Sequence, residues 1–162
     1  MPNHLYLSLG SNIGDRANHL RDAIARLETT GRVLSVSSFY ETEPVDFTDQ
    51  AWFLNCAVSL ETTSTPTQLM AALLGIEQEM GRQRNQEKGP RTIDIDILLF
   101  GDEIVNSVEL TIPHPAMHQR RFVLGPLAEI APGIVHPVLR KTIRELLDHL
   151  PPGQAVQKVR KD

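Results

Sequence analysis

The sequence predicts an α+β fold, an antiparallel sheet with helices packed on it and additional C-terminal elements. Three observations lead there. Four segments (residues 4–9, 32–42, 53–61 and 93–99) read as strands, most of them with apolar residues at alternate positions. Two segments, 16–30 and 66–80, repeat their apolar residues at helical spacing. The two kinds interleave in the order β-α-β-β-α-β, the split βαβ or ferredoxin-like arrangement, which places helices on one face of the sheet.

Each element has its own justification. His4 to Leu9 alternate, and Gly10-Ser11-Asn12-Ile13-Gly14 is turn chemistry. Asp15 is placed to cap a helix running to about Thr30, with Ala17, Leu20, Ala23, Ile24 and Leu27 on one side. Gly31 is expected to end it in the left-handed conformation. Residues 32–42 form the second strand, and 43–51 are a loop without periodicity. From Phe53 to Glu61, Leu54, Cys56, Val58 and Leu60 share one face and Phe53, Asn55 and Ala57 the other. Thr65-Pro66 opens a second helix, with Leu69, Leu73, Ile76 and Met80 inward and Gly81 closing it. In Thr92 to Phe100, Ile93, Ile95, Ile97 and Leu99 are expected on one face, with Asp94 and Asp96 side by side on the other. Beyond it come a turn at 100–103, a short strand at Ile104-Val105, a helix around Arg121 to Ile130, and a helix capped by Thr142. Residues 151–162 are expected to be a mobile polar tail.

Length and composition narrow the function. The 162 residues suit one domain, here expected to be a single catalytic domain over 1–162. Hydrophobic residues are 41% and charged residues 22%, as in soluble globular proteins. No apolar run reaches membrane-spanning length, and the N-terminus lacks signal-peptide features. The single cysteine, Cys56, cannot form an internal disulfide, so a cytoplasmic location is expected. A net charge of −4 argues against a general nucleic-acid binder. Yet 12 of the 16 cationic residues are arginine, and several crowd into 82–91 and 120–121, so a local anion site is compatible with the acidic whole.

The residues that carry chemistry centre on Asp94 and Asp96. Two adjacent carboxylates repel unless a cation sits between them, and Mg²⁺ takes oxygen ligands from one or two carboxylates plus substrate phosphates. Arg82, Arg84 and Arg91 precede the pair, and the arginine fork suits phosphate oxygens. No Gly-x-x-x-x-Gly-Lys-Ser/Thr loop exists, so a phosphate cradle has to be built from arginines and metal, with His114 and Arg120 as further candidates. No Cys/His cluster suggests zinc, and no Gly-x-Ser-x-Gly suggests a hydrolase. Phe53 beside Asn55 offers a flat heterocycle stacking plus a donor and an acceptor, and Phe122 is a second stacking candidate. On the residues alone, a solvated acidic strand face and a core placement of both phenylalanines remain open. So does a non-catalytic ligand-binding module of the same topology. An RNA-binding module is disfavoured by 5% aromatic content.

Several motifs then coincide with one family. Leu9-Gly10-Ser11-Asn12, Ser37-Ser38-Phe39-Tyr40-Glu41-Thr42, Phe53-Leu54-Asn55, Gly81-Arg82, Gly89-Pro90-Arg91-Thr92-Ile93-Asp94-Ile95-Asp96-Ile97-Leu98, Pro113-His114 and Arg120-Arg121-Phe122 follow in order. The chain resembles the 6-hydroxymethyl-7,8-dihydropterin pyrophosphokinases of folate biosynthesis, over residues 4–150. The resemblance implies a ferredoxin-like enzyme that moves pyrophosphate from ATP to the pterin hydroxymethyl group and releases AMP. It implies two Mg²⁺ ions on Asp94 and Asp96, with Arg82 and Arg91 also catalytic. Phosphate contacts would come from Arg82, Arg84, Arg91, His114 and Arg120, with Glu77, on the outer side of its helix, and Ile97 near the nucleotide. The pterin would lie between Phe53 and Phe122, its edge read by Asn55 and by backbone from Thr42 to Val45. The chain departs from many relatives at Phe53 (tyrosine) and from some at Lys88 (tryptophan) and Glu109 (arginine). Residues 83–89, without an apolar anchor, are expected to act as a lid, and the protein to be a monomer with small-molecule partners only.

Overall fold

The computed structural model describes residues 2–43, 51–81 and 92–159. Its strands are β1 (Asn3–Ser11), β2 (Arg32–Val36), β3 (Tyr40–Thr42), β4 (Phe53–Thr62), β5 (Asp94–Phe100), β6 (Val105–Asn106), β7 (Thr111–Ile112) and β8 (Val156–Lys158). Its helices are α1 (Arg16–Leu27), α2 (Pro66–Glu79), α3 (Arg121–Ile130) and α4 (Ile143–Asp148), with a 3-10 turn at Met117–Gln119. The main sheet has the order β5-β1-β4-β3-β8, and β2 pairs β4 on the same side as β3. All pairings are antiparallel. The expected ferredoxin-like β-α-β-β-α-β core is therefore present, with the second strand broken in two. Ser37 makes the break: its N–H donates to Ala57 O, and its hydroxyl accepts from Ala57 N–H, replacing a regular ladder rung.

The two helices of the core, α1 and α2, lie on one face of the sheet as expected, and the additional C-terminal helices α3 and α4 cover part of the other. Leu5, Leu7, Leu9, Leu54, Cys56, Val58, Leu60, Ile95 and Ile97 pack under Leu20, Leu27, Leu69, Leu73 and Ile76 of α1 and α2. On the opposite face, Tyr6, Ala57, Leu98 and Leu99 pack under Val123, Leu124 and Leu127 of α3 and Leu146 of α4. This second core covers only part of that face; Gly10, Phe53, Asn55, Asp94 and Asp96 lie beyond it. Among the described residues no helix is long and apolar enough to cross a membrane. Burial pushes the Cys56 thiol up to about 12, so it stays protonated and unreactive at neutral pH.

Local chemistry accounts for most boundaries. Asp15 caps α1 by accepting from Asn18 N–H at 3.3 Å. Thr65 with Gln68, and Thr142 with Glu145, form reciprocal capping boxes on α2 and α4. Four expectations need correction. Gly31 does not take a left-handed conformation; it is needed because a Cβ there would come 2.3 Å from Glu61 O, a backbone crossing no side chain tolerates. β1 runs through Gly10 and Ser11, so the turn is shorter than the glycine spacing suggests. Leu99 does not join Ile93, Ile95 and Ile97. A bulge shifts the β1–β5 register between Tyr6 and Leu7, so Leu99 goes to the second core and Phe100 to the first. The C-terminal residues expected as a mobile tail include β8, which pairs along β3 with Tyr40 opposite Lys158 and Thr42 opposite Val156.

Candidate active site

Two subsites flank the β5 carboxylates. The first is the uncovered sheet floor. In register, Gly10 stands opposite Asn55 on β4 and opposite Asp94 on β5, while Thr42 stands opposite Phe53. Asn55 is buried and its amide is locked: the Thr42 hydroxyl donates to Oδ1, and Nδ2 donates to Leu9 O at 3.2 Å. One amide hydrogen and one lone pair remain for a ligand. Phe53 is half-buried, neither a core residue nor a freely exposed one. Gly10 makes room for both, since a Cβ would lie 2.5 Å from Asn55 Nδ2 and 3.4 Å from Phe53 Cδ1.

The second subsite is a cavity of about 290 Å³ at the outer edge of β5. Met70, Leu73, Ile95 and Ile97 supply apolar wall; Glu77, Asp96, Thr111 and His114 supply polar groups. β5 is an edge strand of the described sheet, so alternate residues turn their backbone groups outward. Glu77 Oε2 accepts Ile95 N–H at 2.8 Å. The same alternation turns the N–H and C=O of Ile97 outward beside the cavity. Glu77 is therefore corrected: it is 1% exposed and faces β5 from the inner side of α2. Helical spacing from Leu73 and Ile76 puts position 77 on the buried stripe as well; its acidity alone argued for the outside.

His114 joins the two subsites. Its N–H donates to Leu98 O at 3.0 Å, and Nδ1 accepts from Ala116 N–H at 3.2 Å, so the neutral ring carries its proton on Nε2. Burial, and then the nearby Arg120 charge, hold its pKa below the ordinary value despite the opposing pull of Asp94. It is a hydrogen-bond donor at neutral pH. Arg120 precedes α3, and its guanidinium carbon lies 5.5 Å from the Phe122 ring centroid. Phe122 is half-buried against the second core. Glu129 anchors α3 to β3 by accepting from Tyr40 Oη at 2.5 Å and from Ser38 N–H and Oγ at 2.8 and 3.1 Å.

Asp94 and Asp96 are half-buried on one face of β5, as expected. Among the described residues no three His, Cys, Asp or Glu side chains gather as a metal cage. Two carboxylates in a site open to ligand fit a hard cation that completes its shell with water and phosphate oxygens. Val45, Arg82, Arg84 and Arg91 lie outside the described residues, as does the 83–89 segment expected to be a lid. Met70, Thr111 and Gly10's packing role were not foreseen; only the buried spacing of α2 hinted at the first.

Comparison with known proteins identifies the family. The family model described as 7,8-dihydro-6-hydroxymethylpterin-pyrophosphokinase matches residues 6–132. The Bacillus subtilis 2-amino-4-hydroxy-6-hydroxymethyldihydropteridine pyrophosphokinase is 51% identical over 132 residues, 80% of this chain and 79% of that protein. The protein of the same name from Methylorubrum extorquens is 46% identical over 91% of this chain and 94% of its own length. The Schizosaccharomyces pombe folic acid synthesis protein fol1 is 47% identical over 90% of this chain, which spans only 20% of that longer protein. Crystal structures of Plasmodium falciparum HPPK-DHPS share the fold, one with a TM-score of 0.72 at 18% identity over 91% of this chain and 45% of that one. On the matched length and the identity to full-length relatives, this chain belongs to the 7,8-dihydro-6-hydroxymethylpterin pyrophosphokinase family.

Proposed function

We propose a division of labour for the pyrophosphoryl transfer from ATP to 6-hydroxymethyl-7,8-dihydropterin that membership of this family entails. One observation carries it: the carboxylates stand between the two subsites. Asp94 is opposite Gly10 on the sheet floor, and Asp96 lines the edge cavity. A pterin on the floor and a nucleotide in the cavity would thus meet over β5.

The pterin ring stacks on Phe53 and Phe122, and Asn55 reads its edge together with backbone at Thr42 and Val45. The adenine occupies the edge cavity against Met70 and Leu73, its edge read by the outward backbone of Ile97. Glu77 acts by fixing the β5 edge. Neutral His114 donates from Nε2 to a phosphate, and Arg82, Arg84, Arg91 and Arg120 supply positive charge along the chain. Asp94 and Asp96 would hold Mg²⁺, two ions in this reading, whose role is to offset phosphate charge and align the oxygens. Alignment and charge compensation suffice for this chemistry, so no covalent intermediate on the protein is required. The reading extends to one catalytic domain, acting as a monomer in the cytoplasm.

The test is an AMP-release assay with ATP, Mg²⁺ and hydroxymethyl-dihydropterin, omitting each in turn. AMP should appear only with all three. ADP as the product, or AMP without the pterin, would defeat the reading.

A further inference from the structure

Behind the sheet floor lies a charged knot that touches neither subsite. Arg16 is the first residue of α1, and its side chain reaches back under the sheet. Nη1 donates to Glu41 Oε2 at 2.9 Å and to Trp52 O at 2.9 Å, and Nη2 donates to Glu41 Oε1. One turn earlier, Asn12 Nδ2 donates to Ala51 O at 3.1 Å. Two consecutive carbonyls leading into β4 are therefore held by side chains of the β1–α1 turn.

The position of this knot gives it consequence. Trp52 C=O belongs to the same rigid peptide plane as Phe53 N–H, so the bond from Arg16 helps set where Phe53 leaves the backbone. Glu41 stands opposite Leu54, and its neighbour Thr42 opposite Phe53. On a strand, neighbours point to opposite faces. Glu41 thus ties down β3 from below while Thr42 orients Asn55 from above. Arg16 joins β3, which bears Thr42, to the residue leading into β4, which bears Phe53, from the face opposite the floor.

The Arg16 and Glu41 side chains are part-buried, at 29% and 32% exposure, and a bidentate pair of this kind contributes to folding as well as to geometry, so Tm is read beside the kinetics. The geometry comes from the three-acceptor guanidinium fork.

We propose that Arg16, paired with Glu41, is a positioning residue for the pterin ring, acting through the Trp52–Phe53 peptide. This rests on the placement of the pterin over Phe53 and Asn55. The experiment compares Arg16→Met, Arg16→Lys, Glu41→Gln and the reversed pair Arg16→Glu/Glu41→Arg in the full chain. KM for hydroxymethyl-dihydropterin, kcat, the Kd of a non-hydrolysable ATP analogue and Tm are measured for each. Misplacement at a distance from the chemistry can cost up to roughly 100-fold, so Arg16→Met should lower kcat/KM for the pterin about 10- to 100-fold. The ATP-analogue Kd should stay within about twofold. Arg16→Lys should recover part of the loss, and the reversed pair, whose carboxylate at position 16 cannot donate to Trp52 O, should stay impaired even though it restores a charge pair. An unchanged pterin KM, or equal losses for pterin and ATP analogue, would overturn the proposal. Asn55→Ala in the same assay separates the two ideas. If it is inert, the pterin placement falls; if it is impaired while Arg16→Met is normal, only the positioning role falls.

Discussion

Gly10→Ala is the smallest change that should uncouple the sheet floor from the nucleotide cavity. Gly10 is not among the positive-φ residues, and a β-strand accepts alanine, so the backbone itself gains roughly 0.5–1 kcal/mol from losing glycine. The added methyl, however, would sit 2.5 Å from Asn55 Nδ2. Ordinary contact begins near 3.4 Å, so the amide has to withdraw by about 0.9 Å. Its bond to Leu9 O is already 3.2 Å, and a shift of that size breaks it. Overpacking costs about 1–3 kcal/mol, and the buried Asn55 amide, deprived of Leu9 O as its acceptor, about 1–3 kcal/mol more. After the backbone gain, the net loss is about 1–5 kcal/mol of stability, or roughly 2–20 °C in Tm. Asn55 would also lose its aim. Pterin affinity should fall by about 10-fold or more, because a site built to hydrogen-bond a heterocycle loses that bond. Calorimetry with hydroxymethyl-dihydropterin, and separately with an inert ATP analogue and Mg²⁺, checks this. Normal pterin affinity in a folded Gly10→Ala protein would mean that Asn55 does not read the ring. Loss of Mg²⁺-dependent ATP binding instead would mean that the methyl acts through Asp94, which faces Gly10 from β5.

Asp94→Asn and Asp96→Asn should each reduce turnover by about 100-fold or more while Tm holds or rises, since even changes behind the ligands cost 10- to 100-fold at metal sites; near-normal rates at saturating Mg²⁺ would remove the carboxylates from the metal site. Glu109 is exposed on the wall of the edge cavity. Glu109→Gln should tighten ATP binding by about two- to fivefold, the scale of one exposed charge, with the gain shrinking in salt; titrations at two ionic strengths check it, and weaker binding would contradict a nucleotide there. Burial, and then the charge of His118, hold the His136 pKa below the ordinary imidazole value. As pH falls below about 6.5, the unfolded chain takes up this proton before the folded one does, so stability declines until the folded pKa is passed. His136→Asn, which keeps an acceptor for the Val138 and Leu139 N–H groups, should lose less Tm between pH 7 and 5 than the parent; an identical slope in thermal melts would assign the acid sensitivity elsewhere.

Periodicity made the core legible because most of it obeys one rule per element. Leu54, Cys56, Val58 and Leu60 alternate and are all buried on one face, and Leu69, Leu73 and Ile76 follow helical spacing into the same core. The rule failed where the chain serves two surfaces at once. The break at Ser37 uses a side-chain hydroxyl as a backbone partner, which no hydrophobic pattern encodes. Val156–Lys158 is too short and polar to announce a strand, and exists because the β3 edge offers it a template. In the site, residue type was the guide. Adjacent carboxylates and an aromatic beside an amide marked Asp94, Asp96, Phe53 and Asn55 as candidates, while a solvated strand face and core phenylalanines stayed open until the family resemblance was added. Glu77 shows the limit of that guide, because a carboxylate on a helix was assigned outward when its actual partner is the Ile95 N–H. Gly10 shows another, since its glycine is explained by Asn55, a residue 45 positions away and invisible to any local pattern.

The β5 bulge explains how one short strand can serve both the core and the candidate active site. Before it, strict alternation sends Ile95 and Ile97 down into the first core and Asp94 and Asp96 up to the open floor. Had alternation continued, Leu99 would have faced down and Phe100 up. The extra residue reverses this: Leu98 and Leu99 both go to the second core beneath α3, and Phe100 returns to the first. The carboxylates are thereby placed at the boundary where apolar cover ends. The bulge also has a binding role of its own at the backbone. Leu98 O accepts the His114 N–H at 3.0 Å, so the segment carrying His114 is registered against the strand carrying Asp94 and Asp96. Glu77 performs the same service from α2 through the Ile95 N–H. An edge strand ordinarily exposes such groups to any passing chain. Here α2 and the His114 segment each take one, and among the described residues the outward groups of Ile97 lie between them. Under the proposed function, that edge, with two of its positions occupied, would be the place where the base is read.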